Sequence, residues 1–429
     1  MSATLFRGGL VVDPFGGTAA ESDVLVKDGK IAGVGKGLKA GDAEVIEVKG
    51  LVVAPGLVDM HVHLREPGQE GKETVATGTG AAAKGGVTTV ACMPNTVPPL
   101  DNPAQIAYLM NKVAKDARVR VYPIGCISAE RKGEVLADIS ALKEAGVVGI
   151  SDDGSTVMNA LLARRAMMYA QVLGLPYIEH AEDVNLADNG VMNEGLVAVK
   201  LGLPGISPVA EEVIVARDIL LAEATGAHLH LTHLSTGRSV SMVRDARSRG
   251  IRITCDVTPH HLALTDEMVG RFDTYAKVNP PLRSEGERQA LVAGVLDGTI
   301  DAIASDHAPH GLIDKDVDFG AAAFGTVGLE TMLGACIKVL GAAGMGLPAI
   351  LARLSTAPAR ILGLPGGVLA EGEPADLIVL DERAEWTVDA RKLASKSKNS
   401  VFHKQNLRGR TVHTMVGGRM VVRDAELVE

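Results

Sequence analysis

The chain has 429 residues, 46% hydrophobic but only 3% aromatic, so a large core is available and Ala, Val, Leu and Ile must fill it. A net charge of −9 with no Lys/Arg run argues against a nucleic-acid partner, and no apolar run reaches the roughly 18 residues that would suggest a membrane span. The cysteines at 92, 126, 255 and 336 form no close pair and the N-terminal stretch lacks the pattern of a signal peptide, so the expectation is a cytoplasmic protein with reduced thiols and no membrane partner.

Residues 1–54 open the chain with GGLVVDP and SDVLVKDGKIAGVG, a hairpin-like series with Asp-Gly turns. Eight short apolar runs follow: 57–64, 87–93, 119–127, 147–151, 176–180, 228–234, 251–257 and 300–306. Most are separated by Ala-, Leu- and charge-rich stretches with helical character, at 103–116, 130–145, 157–173, 208–226, 236–249 and 284–298. Strands alternating with helices pair in parallel, and eight such units over about 250 residues match a (β/α)8 barrel. A doubly wound sheet is the alternative, but no G-x-G-x-x-G follows a first strand. Residues 311–327, GLIDKDVDFGAAAFGTV, are expected to form a lid, the plainer reading being an ordinary long loop. Strand and turn patterns return at 366–380 and 408–423, while the polar segment 384–407 resists assignment. The expected architecture is α/β: a TIM barrel over 55–365, inserted in a small β-sandwich domain built from 1–54 and 366–429.

Barrel chemistry sits at the C-terminal ends of the strands. The first strand ends in His61-Val62-His63, whose side chains share one face. Alone, that pattern is equally two solvated residues. But the fourth strand ends in Asp152-Asp153, the fifth in Glu179-His180 and the eighth in Asp306-His307, while the sixth carries His233. Ten of the twelve histidines lie between 61 and 310, and no thiol stands at these ends, which suits zinc or another borderline divalent ion. More than four candidate ligands suggest two ions sharing a bridging hydroxide, with a carboxylate reaching both. Asp153 is the natural bridge and Asp152 its rival; spacing alone does not choose. His228 and His230 alternate out of phase with His233 and read as structural; His260 and His261 read as supporting or packing residues, and His307 as pointing elsewhere, with the option of orienting a ligand.

The run VDMHVHLREPG (58–68) resembles the metal-binding signature of dihydroorotases. So do MPNTVPP (93–99), SDDG (151–154), EHAED (179–183), HLST (233–236), TPHHL (258–262), NPPLR (279–283) and ASDHAPH (304–310), in the family's order. The match is to the long bacterial type, in which an Asp bridges the metals. No Lys lies between Lys143 and Lys200, so the carboxylated Lys of many relatives has no counterpart at the fourth strand end. The resemblance implies two zinc ions per subunit, one held by His61, His63 and Asp306, the other by His180 and His233, with Asp153 and a hydroxide bridging them. It implies that Asp306 takes a proton from the water and gives it to the leaving amide nitrogen. It also implies that Arg65, Asn95 and His310 meet the substrate's carboxylate, that His63 contacts the substrate, and that Asn279 meets the pyrimidine edge and Phe324 and Gly325 the substrate through their backbone. The implied reaction is reversible conversion of N-carbamoyl-L-aspartate to (S)-dihydroorotate in pyrimidine biosynthesis.

The nearest rival is another cyclic amidase, such as a hydantoinase, dihydropyrimidinase or allantoinase. A substrate without a carboxylate would leave Arg65 unpaired in a dry pocket, which disfavours it. A non-catalytic partner of aspartate transcarbamoylase would show gaps among the six ligands, and there are none. The small molecule is the expected partner, with a homo-oligomer because such barrels pair. Association with aspartate transcarbamoylase is expected by family analogy alone.

Overall fold

The structure, a computed structural model, describes residues 3–429. Parallel strands Leu57–Val62, Val87–Cys92 and Arg120–Pro123 form one arc, and Tyr177–Glu179, Leu229–Leu231, Ile253–Val257 and Ala302–Ile303 form the other. The arcs close into a barrel through single bridges. Ile150 pairs with Gly125 on one side and Tyr177 on the other, and Val62 pairs with His307. The expected fourth strand, 147–151, is therefore reduced to one bridging residue. Helices Pro103–Asp116, Ala160–Leu173, Pro208–Thr225, Gly237–Ser248 and Glu285–Leu296 fall close to their expected places. Within 130–145 only Ile139–Glu144 is α-helical.

Helix Val75–Gly85 has the sequence VATGTGAAAKG, whose apolar signal is weak. Thr74 caps it through the Thr77 amide, and Gly86 ends it at φ 83, in the left-handed region that glycine occupies without strain. Ala81, Ala82 and Ala83 are fully buried, as are Ala163, Ala166 and Ala170 in a later helix. Small side chains let the helices lie close to the strands, and so a chain with few aromatics still closes its core.

Strands from the two ends of the chain make one continuous nine-stranded sheet. Thr4–Asp13 pairs with Thr18–Lys27, which pairs with Lys30–Gly35 across Asp28 (φ 52) and Gly29 (φ 78), the left-handed pair a tight hairpin needs. Val52–Pro55 is the junction. It runs parallel to Thr4–Asp13 and antiparallel to Leu377–Thr387, which continues into Asn406–Val416 and Arg419–Arg423. The sheet wraps its own apolar core, in which Phe6, Val24, Val53, Leu377 and Val379 are fully buried. Among the described residues no helix is long and apolar enough to cross a membrane.

Candidate metal and substrate site

Six side chains converge at the C-terminal end of the barrel strands. His61 Nε2 lies 3.3 Å from Asp153 Oδ1 and 3.5 Å from Asp306 Oδ1. His63 Nε2 lies 3.1 Å from Asp306 Oδ1 and 3.6 Å from Asp153 Oδ2. His180 Nδ1 and His233 Nε2 stand 3.0 Å apart, at 3.7 and 3.6 Å from Asp153 Oδ1. Donors about 2.0–2.2 Å from one tetrahedral ion would be about 3.3–3.6 Å apart, and four of these seven separations fall in that range with the others within about 0.3 Å of it. His61 Nε2 and Asp153 Oδ1 are buried and have no hydrogen-bond partner among the described residues. A buried polar atom without a partner is unfavourable unless something else meets it. Two groups, His61–Asp153–His233 and His61–His63–Asp306, each present three donor atoms close enough to share an ion. The all-nitrogen and oxygen donor set fits a borderline or hard divalent metal.

The electrostatics agree. Burial opposes charge on His61, yet the Asp153 and Asp306 carboxylates push its imidazole up to about 10. Burial likewise opposes the Asp153 carboxylate, but the His61, His180 and His233 rings hold it well below the usual range. The cluster draws positive charge into a dry site, and a divalent ion supplies that charge with both imidazole and carboxylate in their ligating forms.

Ring orientation is set by partners behind the ligands. Nδ1 of His61 meets Thr232 Oγ1 at 2.8 Å, and that hydroxyl donates to Asp256 Oδ2 at 3.0 Å. Asp256 also accepts the His233 amide at 2.7 Å and faces His230 Nε2 at 2.9 Å. Nδ1 of His63 meets Asn95 Oδ1 at 2.8 Å. The two Nδ1 bonds leave Nε2 of His61 and of His63 facing the cluster. Asp59 ties the first and eighth strands together by accepting the His61 and Ser305 amides, both at 3.1 Å. Sequence reading missed Thr232, Asp256 and Asp59. The signal was there for the two carboxylates, each of which interrupts an apolar strand, LVDMHV or ITCDV.

A cavity of about 240 Å³ opens over the cluster. His63, Arg65, Asn95, Asn279, His310, Phe324 and Gly325 all line it, together with Asp153, His180, His233 and Asp306. His61 lies beneath, 1% exposed. Asp152 does not line the cavity; its carboxylate turns back to accept the Ile127 amide at 2.9 Å and the Ser128 hydroxyl. Arg65, 8% exposed, donates from Nε to Pro309 O at 3.2 Å and from Nη2 to His310 Nε2 at 3.3 Å. Burial pulls its guanidinium down to about 10, and burial together with the Arg65 charge pulls His310 down to about 2, so His310 is a neutral acceptor. Among the described residues no carboxylate forms an ion pair with Arg65. Asn279 Nδ2 lies 3.4 Å from His180 Nε2, and its Oδ1 is buried without a partner.

Most of the remaining histidines are occupied elsewhere, whereas His260 Nε2 is buried without a partner among the described residues. His228 and His230 bond Thr254, His261 bonds Thr258 and the Pro280 carbonyl, and His307 meets Glu73 at 3.3 Å. Arg65 (φ 59), His233 (φ 40) and Asp306 (φ 45) all carry left-handed backbone, which non-glycine residues adopt only under constraint.

Comparison with known proteins agrees with this site. The family profile described as "Dihydro-orotase-like" matches residues 50–239, and the one described as "Amidohydrolase family" matches 244–422. A dihydroorotase from Pelotomaculum thermopropionicum is 52% identical, covering 98% of each chain. One from Geotalea daltonii is 50% identical, covering 97% of this chain and 98% of the relative. Among solved structures, the L-hydantoinase (dihydropyrimidinase) from Arthrobacter aurescens superimposes with a TM-score of 0.90 at 26% identity, covering 100% of this chain and 98% of that one. The dihydropyrimidinase from Brevibacillus agri, at 23% identity and a TM-score of 0.88, covers 99% of this chain and 96% of its own and shares the fold. A barrel with a sheet domain, a metal-ligand cluster at its mouth and near-full-length identity of about half to curated relatives place this chain in the dihydroorotase family, among the cyclic amidohydrolases.

Proposed function

We propose that the chain interconverts N-carbamoyl-L-aspartate and (S)-dihydroorotate with two zinc ions, in de novo pyrimidine biosynthesis. The observation that carries this reading is Arg65: a buried guanidinium with no carboxylate partner, lining the cavity over the metal ligands. A substrate carboxylate supplies the missing anion in the two-point geometry that guanidinium favours. In this reading His61, His63 and Asp306 would hold one ion and His180 and His233 the other, and Asp153, within 3.7 Å of all four histidines, would serve both groups. Bound there, divalent ions would supply Lewis-acid polarisation of the ring carbonyl and a lowered pKa for a water nucleophile at neutral pH. Asp306 would accept the proton of the attacking water on a carboxylate oxygen and return it to the ring nitrogen as the amide opens. Arg65, Asn95 and His310 clamp the substrate carboxylate, His63 and Asn279 border the ring, and Phe324 and Gly325 offer backbone groups to its edge.

The assignment extends to domains 1–54 plus 366–429 and 55–365, to a cytoplasmic homo-oligomer and, by analogy alone, to association with aspartate transcarbamoylase, which size-exclusion chromatography of the two proteins together would show.

The test is dihydroorotate hydrolysis followed by ultraviolet absorbance, on zinc-loaded and chelated protein, beside an uncharged hydantoin. Zinc-dependent turnover of dihydroorotate over the hydantoin is expected. Preference for the hydantoin would move the chain to the hydantoinase branch of the fold, and turnover of neither would overturn the catalytic reading.

A further inference from the structure

The loop after the eighth barrel strand brings Phe324 and Gly325 to the cavity, and two buried lysines hold it there. Lys315 is 2% exposed and Lys277 3%. Lys315 Nζ donates to the carbonyls of Thr274 at 2.9 Å, Lys277 at 3.3 Å and Ala323 at 2.6 Å. An ammonium has three donors and no acceptor, so this cradle uses its full capacity. Lys277 Nζ donates to Phe319 O at 3.0 Å and Gly320 O at 2.9 Å, and stands 4.6 Å from the centre of the Phe324 ring. Among the described residues neither lysine forms an ion pair with a carboxylate.

The contacts bracket one dipeptide. The residue before Phe324 gives its carbonyl to Lys315, and the residue after it, Gly325, donates its amide to Lys277 O at 2.8 Å. The ring between them lies under Lys277 Nζ. Gly325 has little slack of its own. At φ 136, a Cβ there would lie 2.7 Å from Ala308 Cβ. Lys277 is also two residues from Asn279, at the other wall of the cavity.

We propose that Lys315 and Lys277 are positioning residues for substrate: together they set the placement of Phe324 and Gly325 over the metal cluster. Burial pulls Lys277 down to about 8, and burial with the neighbouring Lys277 pulls Lys315 down to about 7. Burying two ammonium groups without a carboxylate costs desolvation, which their five carbonyl bonds offset in part rather than turn into a gain in stability. Their geometry instead fixes backbone groups at a binding wall, where small displacements change affinity.

The inference rests on the dihydroorotate reading, and the experiment separates the two. Steady-state kinetics with dihydroorotate are measured on zinc-loaded full-length protein for Lys315→Met, Lys277→Met, Phe324→Ala and the Lys277→Met/Phe324→Ala double variant, with metal content and thermal midpoint. The expectation is a KM at least about tenfold higher in each lysine variant, with kcat within about threefold and metal content unchanged. In the Phe324→Ala background, Lys277→Met should raise KM by less than about threefold more, because both act through the same ring. A KM within twofold of wild type in folded, metal-replete variants overturns the proposal, as do effects that multiply fully in the double variant. If the Met variants fail to fold, Lys315→Gln and Lys277→Gln keep an N–H donor and should raise KM about threefold; an unchanged KM there also overturns it. Wild-type protein inactive on dihydroorotate would remove the functional reading and this proposal together, whereas an active wild type with unaffected variants removes this proposal alone.

Discussion

The barrel mouth and the terminal sheet treat polar groups in opposite ways. Ten buried side-chain polar atoms lack a partner among the described residues; His61 Nε2, Asp153 Oδ1, His260 Nε2 and Asn279 Oδ1 are at or beside the mouth, whereas Thr411 Oγ1 is the one in the terminal sheet. The mouth also holds the left-handed Arg65, His233 and Asp306. In the sheet, fully buried Leu377 and Val379 sit in an apolar core, and left-handed backbone falls at turns such as Asp28-Gly29. One region spends folding energy to prepare a binding surface, and the other supplies it.

That contrast can be broken by substitution. The largest effect expected is from Asp306→Asn. Asn tolerates the φ of 45 and keeps the side-chain shape, so the fold should hold while turnover of dihydroorotate drops on the order of 10³-fold or more. Activity within tenfold of wild type would remove Asp306 from proton transfer. Leu377→Ala should do the reverse, lowering denaturant-measured stability by about 2–5 kcal/mol with kcat of the folded protein unchanged. Loss of kcat there would mean the sheet tunes the mouth directly. Arg65→Ala should raise the KM for dihydroorotate about 10- to 100-fold. Use of an uncharged hydantoin should change little, and equal losses on both substrates would show that Arg65 is no carboxylate clamp. The smallest effect belongs to Arg423→Ala, which removes an exposed pair with Glu44 at 2.7 and 3.0 Å. Unfolding should shift by less than about 1 kcal/mol, and a larger loss would show that this sheet edge depends on its ion pair.

Much of this was legible before any fold was known, because strand periodicity puts the ends of apolar runs at one rim of a barrel. The positions of His61, His63, His180, His233 and Asp306 follow from that rule, and all five residues do meet. Spacing left Asp152 and Asp153 open, since adjacent residues alternate faces; in the structure Asp153 lines the cavity and Asp152 turns back to the Ile127 amide. Arg65, Asn95 and His310 were reached through family resemblance, and all three border the cavity. The excursion Met192–Ile206, with two-residue strands around a short helix, has no period long enough to detect. Asn399 lies in the polar segment 384–407 that resisted assignment. Its side-chain amide bonds Ala308 O and Gly325 O, both at 3.1 Å, and its carboxamide oxygen accepts the His310 amide at 3.1 Å. Those partners are distant in sequence, so no local pattern announces them.

The junction strand Val52–Pro55 carries a consequence for synthesis. Its antiparallel neighbour, Leu377–Leu380, lies about 320 residues downstream, so the ring closed by that pairing contains the whole barrel. A nascent chain leaving the ribosome can assemble barrel strands as they emerge, but the edge at Val52–Pro55 stays open until Leu377–Leu380 appears. For that interval Val52 and Val53 present an unpaired apolar edge of the kind that chaperones bind and that aggregates grow from. A truncation just before Leu377 would leave the six metal ligands encoded and that edge permanently bare.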